Sequence, residues 1–160
     1  MKKINKKDFF GALVFVVVCQ AAGAIGSIFT APNVKTWFAT INRPEIAPPN
    51  WVFAPVWTLL FALMGIAAWL VWKKRDQKQA QDGLALFFIQ LFFNVMWSAL
   101  FFGNQNIAAA LSEIIVLWLA ILLTILQFKK VSSPAAWLML PYILWVTFAA
   151  YLNFLFYQLN

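Results

Sequence analysis

Two stretches of this chain carry indoles and carboxamides at helical spacing. Gln90, Asn94, Trp97 and Phe101 recur at intervals of four, three and four, and Trp145, Ala149, Leu152, Asn153 and Phe156 form a similar set further along. Residues three and four apart share one face of a helix, so each set makes a single stripe. An amide on an otherwise apolar helix turns away from hydrocarbon and toward partners. The bland use of such a stripe is interhelical hydrogen bonding, worth about 0.6 kcal/mol per contact. Two stripes beside Trp57 would instead wall a cavity with aromatic faces and few polar groups, which suits a flat, hydrophobic ligand. The chemistry on offer is stacking and selective hydrogen bonding. If anything in such a cavity reacts, the oxidisable indoles of Trp57, Trp97 and Trp145 are the catalytic candidates.

Composition closes off most other chemistries. There is no histidine, which removes histidine-ligated haem or zinc and every Ser-His-Asp or Cys-His arrangement. Cys19 is alone and in mid-segment, so it forms no intramolecular disulfide. Of five carboxylates, Asp8, Asp76 and Asp82 flank apolar segments, Glu45 sits among prolines and Glu113 lies inside an apolar segment. No acidic pair for two-metal or glycosidase chemistry is visible, and neither a metal nor an obligatory cofactor is expected. An ionised carboxylate at bilayer depth costs about 2.5 kcal/mol or more, so Glu113 should face the bundle interior, be partly protonated, or reach water near the interface. It reads either as a hydrogen-bonding or proton site of a pocket or as a packing anchor between helices.

The elements that position these residues follow from hydropathy. With 64% hydrophobic residues, 11% charged and a mean hydropathy of +0.80, the composition belongs to an integral membrane protein. Five apolar stretches, 9–29, 51–72, 84–102, 107–128 and 134–157, meet the roughly 20 residues a crossing helix needs. Strands with open edges would leave backbone groups unpaired in lipid. The expected fold is therefore an all-α bundle of five transmembrane helices, one domain over residues 1–160, with the four-proline loop 31–50 over a pocket. The first stretch is too long, and the lysine-rich tail before it too unlike a presequence, to read as a cleaved signal. Within it Ala22 and Gly26 form a small-xxx-small pair that lets helices approach closely. Counted inward at 1.5 Å per residue, Trp57, Trp97 and Glu113 lie about 8 to 9 Å deep, Asn94 about 12 Å, Asn153 about 6 Å and Trp145 about 18 Å. All but Trp145, which lies near the midplane, converge on one half of a core about 30 Å thick.

The remaining tryptophans read as membrane furniture. Trp51, Trp69, Trp72 and Trp137 stand at segment ends, where indoles collect at headgroup level, and Trp118 reads as lipid-facing. Basic residues cluster on one side: Lys2, Lys3, Lys6 and Lys7, then Lys73, Lys74, Arg75 and Lys78, then Lys129 and Lys130. Only Lys35 and Arg43 fall on the other side, so the N-terminus is expected in the cytoplasm and the C-terminus outside. The net charge of +7 is then a topology signal with a weak preference for anionic lipid headgroups, and nothing supports a nucleic-acid partner.

The run from Trp37 and Phe38 through Pro44, Pro48, Pro49, Trp51 and Pro55 to Trp57 resembles the translocator protein family, also called tryptophan-rich sensory protein or peripheral benzodiazepine receptor (TspO/MBR). Met64-Gly65, Leu70 to Lys73, Gln90-Leu91 with Asn94 and Trp97, Phe101 to Gly103, Ser133-Pro134, Pro141-Tyr142, Trp145, Phe148-Ala149 and Leu152-Asn153 continue the likeness in order. The resemblance implies a five-helix bundle, often a homodimer, in a bacterial inner membrane. It implies a pocket for protoporphyrin or haem, for cholesterol in animal members, and for isoquinoline or benzodiazepine drugs. Carried over by position, that pocket comprises Trp51, Trp57, Asn94, Trp97, Trp145, Ala149 and Leu152, with Glu113 at an acidic family position. Three departures stand out. Pro44-Glu45-Ile46 replaces the family's Pro-Ser-Trp, Phe38 replaces a tyrosine, and the end Tyr157 to Asn160 lacks the basic residue of a cholesterol motif. Three functions compete: a receptor, sensor or carrier for tetrapyrroles linked to oxidative-stress regulation, a light- and oxygen-dependent porphyrin-degrading enzyme, and a lipid- or sterol-binding scaffold.

Overall fold

The computed structural model describes residues 6–160, with side chains from Asp8 onward. Lys2 and Lys3, part of the orientation argument, lie outside the described residues. The helices are α1 (Lys6–Val34), α2 (Asn50–Trp72), α3 (Lys78–Ser98), α4 (Ile107–Val131), α5 (Ser133–Leu138) and α6 (Leu140–Leu159). Five crossings long and apolar enough to span a membrane result, Asp8–Val34, Asn50–Trp72, Lys78–Gly103, Ile107–Val131 and Ser133–Leu159. The chain is an all-α integral membrane protein.

The crossings differ from the sequence expectation at their ends, for local reasons. Helix α1 runs through Pro32 to Val34 instead of yielding to a loop at residue 31. Near its end the Thr36 hydroxyl donates to Pro32 O at 2.9 Å, partnering a carbonyl that a helix end leaves orphaned, and the Asn33 side chain adds a bond to Phe29 O at 3.0 Å. The connection to α2 is therefore residues 35–49 and holds three of the four prolines. Helix α3 begins six residues before the expected 84, because its polar first turns stay helical beyond the apolar segment. It closes through a π-helical turn, Ala99–Gly103. The last crossing breaks at Met139, where Pro141 in the first turn of α6 forbids an unbroken helical hydrogen-bond ladder.

Around the bundle α2 packs on α1, α1 on α3, α3 on α4 and α4 on α6, while α2 meets the fifth crossing mainly through α5. This asymmetry shapes the interior. Toward the lysine-rich end, Met64, Val71, Phe87, Ile121, Phe128 and Met139 are all 0% exposed, and Phe87 stacks on Phe128 at 5.9 Å between ring centroids. Toward the proline-loop end, contact between α2 and α6 is slight and the space between them is not filled.

Helices α1 and α2 approach closely at Gly65. A Cβ there would lie 2.6 Å from Val16 Cα and 2.7 Å from Val16 N, both backbone atoms that cannot swing aside. The small residue lets α1 lie directly on α2, as close packing in membranes requires. Gly65→Ala is expected to destabilise the bundle by about 1 to 3 kcal/mol, the range for overpacking a filled interior. A thermal shift assay in detergent reads it, and an unchanged midpoint would show that α1 adjusts freely. The Ala22–Gly26 pair is also buried, and a Cβ on Gly26 would meet Ser98 Oγ of α3 at 3.2 Å. That pair serves packing inside the chain.

Candidate functional site

The unfilled end is a cavity of about 540 Å³, lined from all five crossings and by Phe38 of the loop. Its volume falls within the roughly 300 to 1,000 Å³ of small-molecule sites. Helix α2 contributes Phe53, Trp57 and Phe61, α3 contributes Asn94 and Trp97, α4 contributes Ile114 and Leu117, and α6 contributes Trp145, Ala149, Leu152, Asn153 and Phe156. Helix α1 supplies a wall of small and polar residues, Gln20, Gly23, Ala24, Gly26, Ser27 and Thr30. No lysine, arginine, aspartate or glutamate lines it among the described residues.

The two amide stripes meet, and their amides bond a tyrosine hydroxyl, an indole and a backbone carbonyl of neighbouring helices. Asn94 Nδ2 donates to the Tyr142 hydroxyl at 3.0 Å, and that hydroxyl donates to Gln90 Oε1 at 2.9 Å. Trp97 Nε1 donates to Asn153 Oδ1 at 3.0 Å, and Asn153 Nδ2 donates to Ile107 O at 3.1 Å. These bonds cross-link α3, α4 and α6 at the cavity wall, so the interhelical role weighed for the amides and the lining role coexist. The bond to Asn153 fixes the orientation of the Trp97 indole, because breaking it strands a donor and an acceptor in an apolar interior, while Gln90 Nε2 is buried without a partner. Trp97 stacks on Phe101 at 5.0 Å with 23° between planes. Trp57 leans on Phe61 at 5.4 Å and meets Tyr142 edge-on at 6.2 Å. Trp145 meets Phe53 edge-on at 5.9 Å across the α2–α6 seam. Phe61 fits against α1 because Gly23 has no Cβ, which would otherwise stand 2.5 Å from its ring.

The roof is aromatic and pinned. Phe38 packs on Phe102 and Phe156, each at 5.4 Å, and Trp37 packs edge-on to Phe101 at 5.6 Å. Arg43 lies 5.7 Å above the Phe38 ring, donates to Asn50 Oδ1 at 2.8 Å and bonds Pro48 O. The backbone N–H of Asn42 donates to Asn160 Oδ1 at 2.8 Å, and Asn160 Nδ2 returns a bond to Asn42 O at 3.0 Å. The loop is thus clasped to the far end of α6.

Of the residues singled out in the sequence, Trp57, Asn94, Trp97, Trp145, Ala149, Leu152 and Asn153 face this one cavity. Trp51 and Glu113 do not. Trp51 is 74% exposed in the first turn of α2, outside the cavity lining. Glu113 is buried on α4 with neither carboxylate oxygen hydrogen-bonded, so the expected anchoring bonds to neighbouring helices are absent. Its neighbours on the helix, Ile114 and Leu117, form the α4 wall instead. Trp118, read as lipid-facing, is half-buried and donates to Thr147 Oγ1 at 2.8 Å. Ile46, where the family pattern carries a loop tryptophan, is exposed and outside the cavity lining, so the loop's aromatic lining residue is Phe38, with Trp37 packed on Phe101 and Phe102. Sequence reasoning passed over Tyr142 as the hub of the amide network and α1 as a wall. A phenol in mid-segment was the available signal for the first.

Comparison with known proteins places these features in one family. The family model described as TspO/MBR family matches residues 15–158. The chain is 46% identical to the tryptophan-rich protein TspO of Chlorobaculum tepidum, over 98% of this chain and 99% of that protein. It is 44% identical to the tryptophan-rich protein TspO of Archaeoglobus fulgidus, over 91% of this chain and 94% of the relative. The human translocator protein is 32% identical over 93% of this chain and 89% of its own length.

Proposed function

We propose that this chain, which belongs to the TspO/MBR family, is a receptor, sensor or carrier that binds porphyrins such as protoporphyrin IX or haem in its tryptophan-walled cavity. The observation that carries this reading is the uncharged cavity of about 540 Å³ with Trp57, Trp97 and Trp145 in its walls. An apolar macrocycle gains burial and stacking against three indoles there, and it needs no ligand from the protein to its ring nitrogens. Titration of protoporphyrin IX in darkness, followed by tryptophan fluorescence, tests it. Saturable quenching is expected, and its absence in folded protein would refute the reading. Isoquinoline and benzodiazepine drugs fit the same description of flat, apolar ligands and should compete.

A second reading rests on the same three indoles: with light and oxygen, the bound porphyrin is degraded and the indoles supply electrons or are oxidised. A homodimer belongs to the proposal as well, to be read by crosslinking in membranes. The Ala22–Gly26 pair is turned inward and does not offer its surface.

Orientation is proposed from charge. The described basic residues of the end opposite the cavity, Lys73, Lys74, Arg75, Lys78, Lys129 and Lys130, support a reading with that end in the cytoplasm of a bacterial cell and the proline loop outside. Glu45 is exposed in the loop. In protein with Cys19 replaced, Glu45→Cys is expected to react with an impermeant thiol reagent in intact cells. Reaction only after lysis would invert the assignment.

A further inference from the structure

The cavity is uncharged, yet the ligands proposed for it carry carboxylates on one edge of the macrocycle. Taking a carboxylate into an apolar cavity without a partner costs several kcal/mol, so the acidic edge must stay at the mouth and find a cation there. We propose that Arg43 is a specificity-determining residue that receives the carboxylate of a planar acid whose ring lies in the cavity. This rests on the porphyrin-binding reading above and says which tetrapyrroles it applies to.

Three observations assign the role to Arg43. Both side chains that hold its guanidinium, Phe38 beneath it and Asn50 beside it, line the cavity, so the charge stands at the rim. Its bonds to Asn50 Oδ1 and Pro48 O engage two of five N–H donors, and it forms no ion pair among the described residues, exposed Glu45 included. Lys35 is the only other basic residue described at this end. A guanidinium already positioned over a ring and against a carbonyl loses little freedom when a carboxylate arrives, and its planar fork matches both oxygens. The bound acid is oriented: ring toward Trp57 and Trp97, acidic edge toward the loop.

The test compares protoporphyrin IX with its dimethyl ester, which keeps the macrocycle and removes the charge. Dissociation constants are measured in darkness on folded protein in detergent, for the unmodified chain, Arg43→Gln and Arg43→Lys. The acid is expected to bind the unmodified protein about tenfold tighter than the ester, in line with one charge-assisted contact. Arg43→Gln should bring that ratio close to one while the ester's affinity stays within about twofold, and Arg43→Lys should restore part of the preference. Micelle partitioning of each porphyrin is common to all three proteins, so the ratio isolates the side chain. An acid-to-ester ratio unchanged by Arg43→Gln would overturn the assignment. So would an equal weakening of both ligands, since Arg43 would then only brace the roof. Failure of the unmodified protein to bind either porphyrin would strike down the cavity reading itself, whereas binding both without preference removes only the role of Arg43.

Discussion

Ala149→Phe is expected to weaken porphyrin binding by about tenfold to a hundredfold and to leave the bundle folded. Ala149 is half-buried on α6, in the cavity wall between Trp145 and Leu152. A benzyl group there would grow into empty space and not into a packed neighbour, so the folded protein has little strain to absorb. The ligand does. It must surrender stacking area or displace an aromatic wall, and overpacking of that kind costs about 1 to 3 kcal/mol, which is the stated range in affinity. Fluorescence titration gives the affinity and a thermal midpoint gives the fold. An unchanged affinity would place the ligand elsewhere, whereas a collapsed midpoint would mean that the empty space is needed for folding.

Half of this arrangement is legible in the residue order, and the reason is periodicity. Asn94, Trp97, Trp145 and Asn153 stand out because polar or amphipathic groups in hydrocarbon have to face protein, and spacing by three and four then fixes their common face. On α1 that reasoning fails. Apart from Gln20, its mid-segment residues are apolar or small on all sides, lipid is as apolar as a protein interior, and hydropathy cannot separate the face toward Gly65 from the face toward lipid. The contact of Gly65 with the Val16 backbone is set by the shapes of two helices, and no pattern in either one announces it. Hydropathy also misjudged ends: Pro32 suggested a loop, but side-chain hydrogen bonds carry α1 past it. For Glu113 the cost of a charge in lipid leaves three settings open, the bundle interior, partial protonation or water near the interface, and the structure buries it on α4. Which inner surface it meets depends on helix rotation by a single position, since Ile114 and not Glu113 reaches the cavity.

Replacing Trp57, Trp97 and Trp145 together by phenylalanine is expected to reduce light-driven porphyrin loss per bound molecule to the rate in protein-free micelles. The argument starts from what the cavity lacks. With no histidine in the chain and no charged side chain in the described lining, neither proton transfer by an imidazole nor a carboxylate pair is on hand. Light would have to supply the energy, oxygen the oxidant and the macrocycle the chromophore, which leaves the protein to provide positioned electron donors. Indoles are the oxidisable groups that line the site, and all three face the space a macrocycle would fill. Phenylalanine keeps an aromatic face and most of the apolar area but cannot be oxidised as readily, so binding should weaken less than turnover. The Trp97 substitution carries one further effect. It removes the donor to Asn153 Oδ1 and leaves that buried oxygen unpaired, at about 1 to 3 kcal/mol in stability, so folding must be checked by thermal midpoint. Glu113→Gln serves as the contrast, because its carboxylate is buried outside the cavity lining and its loss should change the rate far less. If the three-phenylalanine protein binds porphyrin and still degrades it faster than micelles do, the indoles are not the donors. If the unmodified protein is no faster than micelles, the degrading reading falls and binding remains.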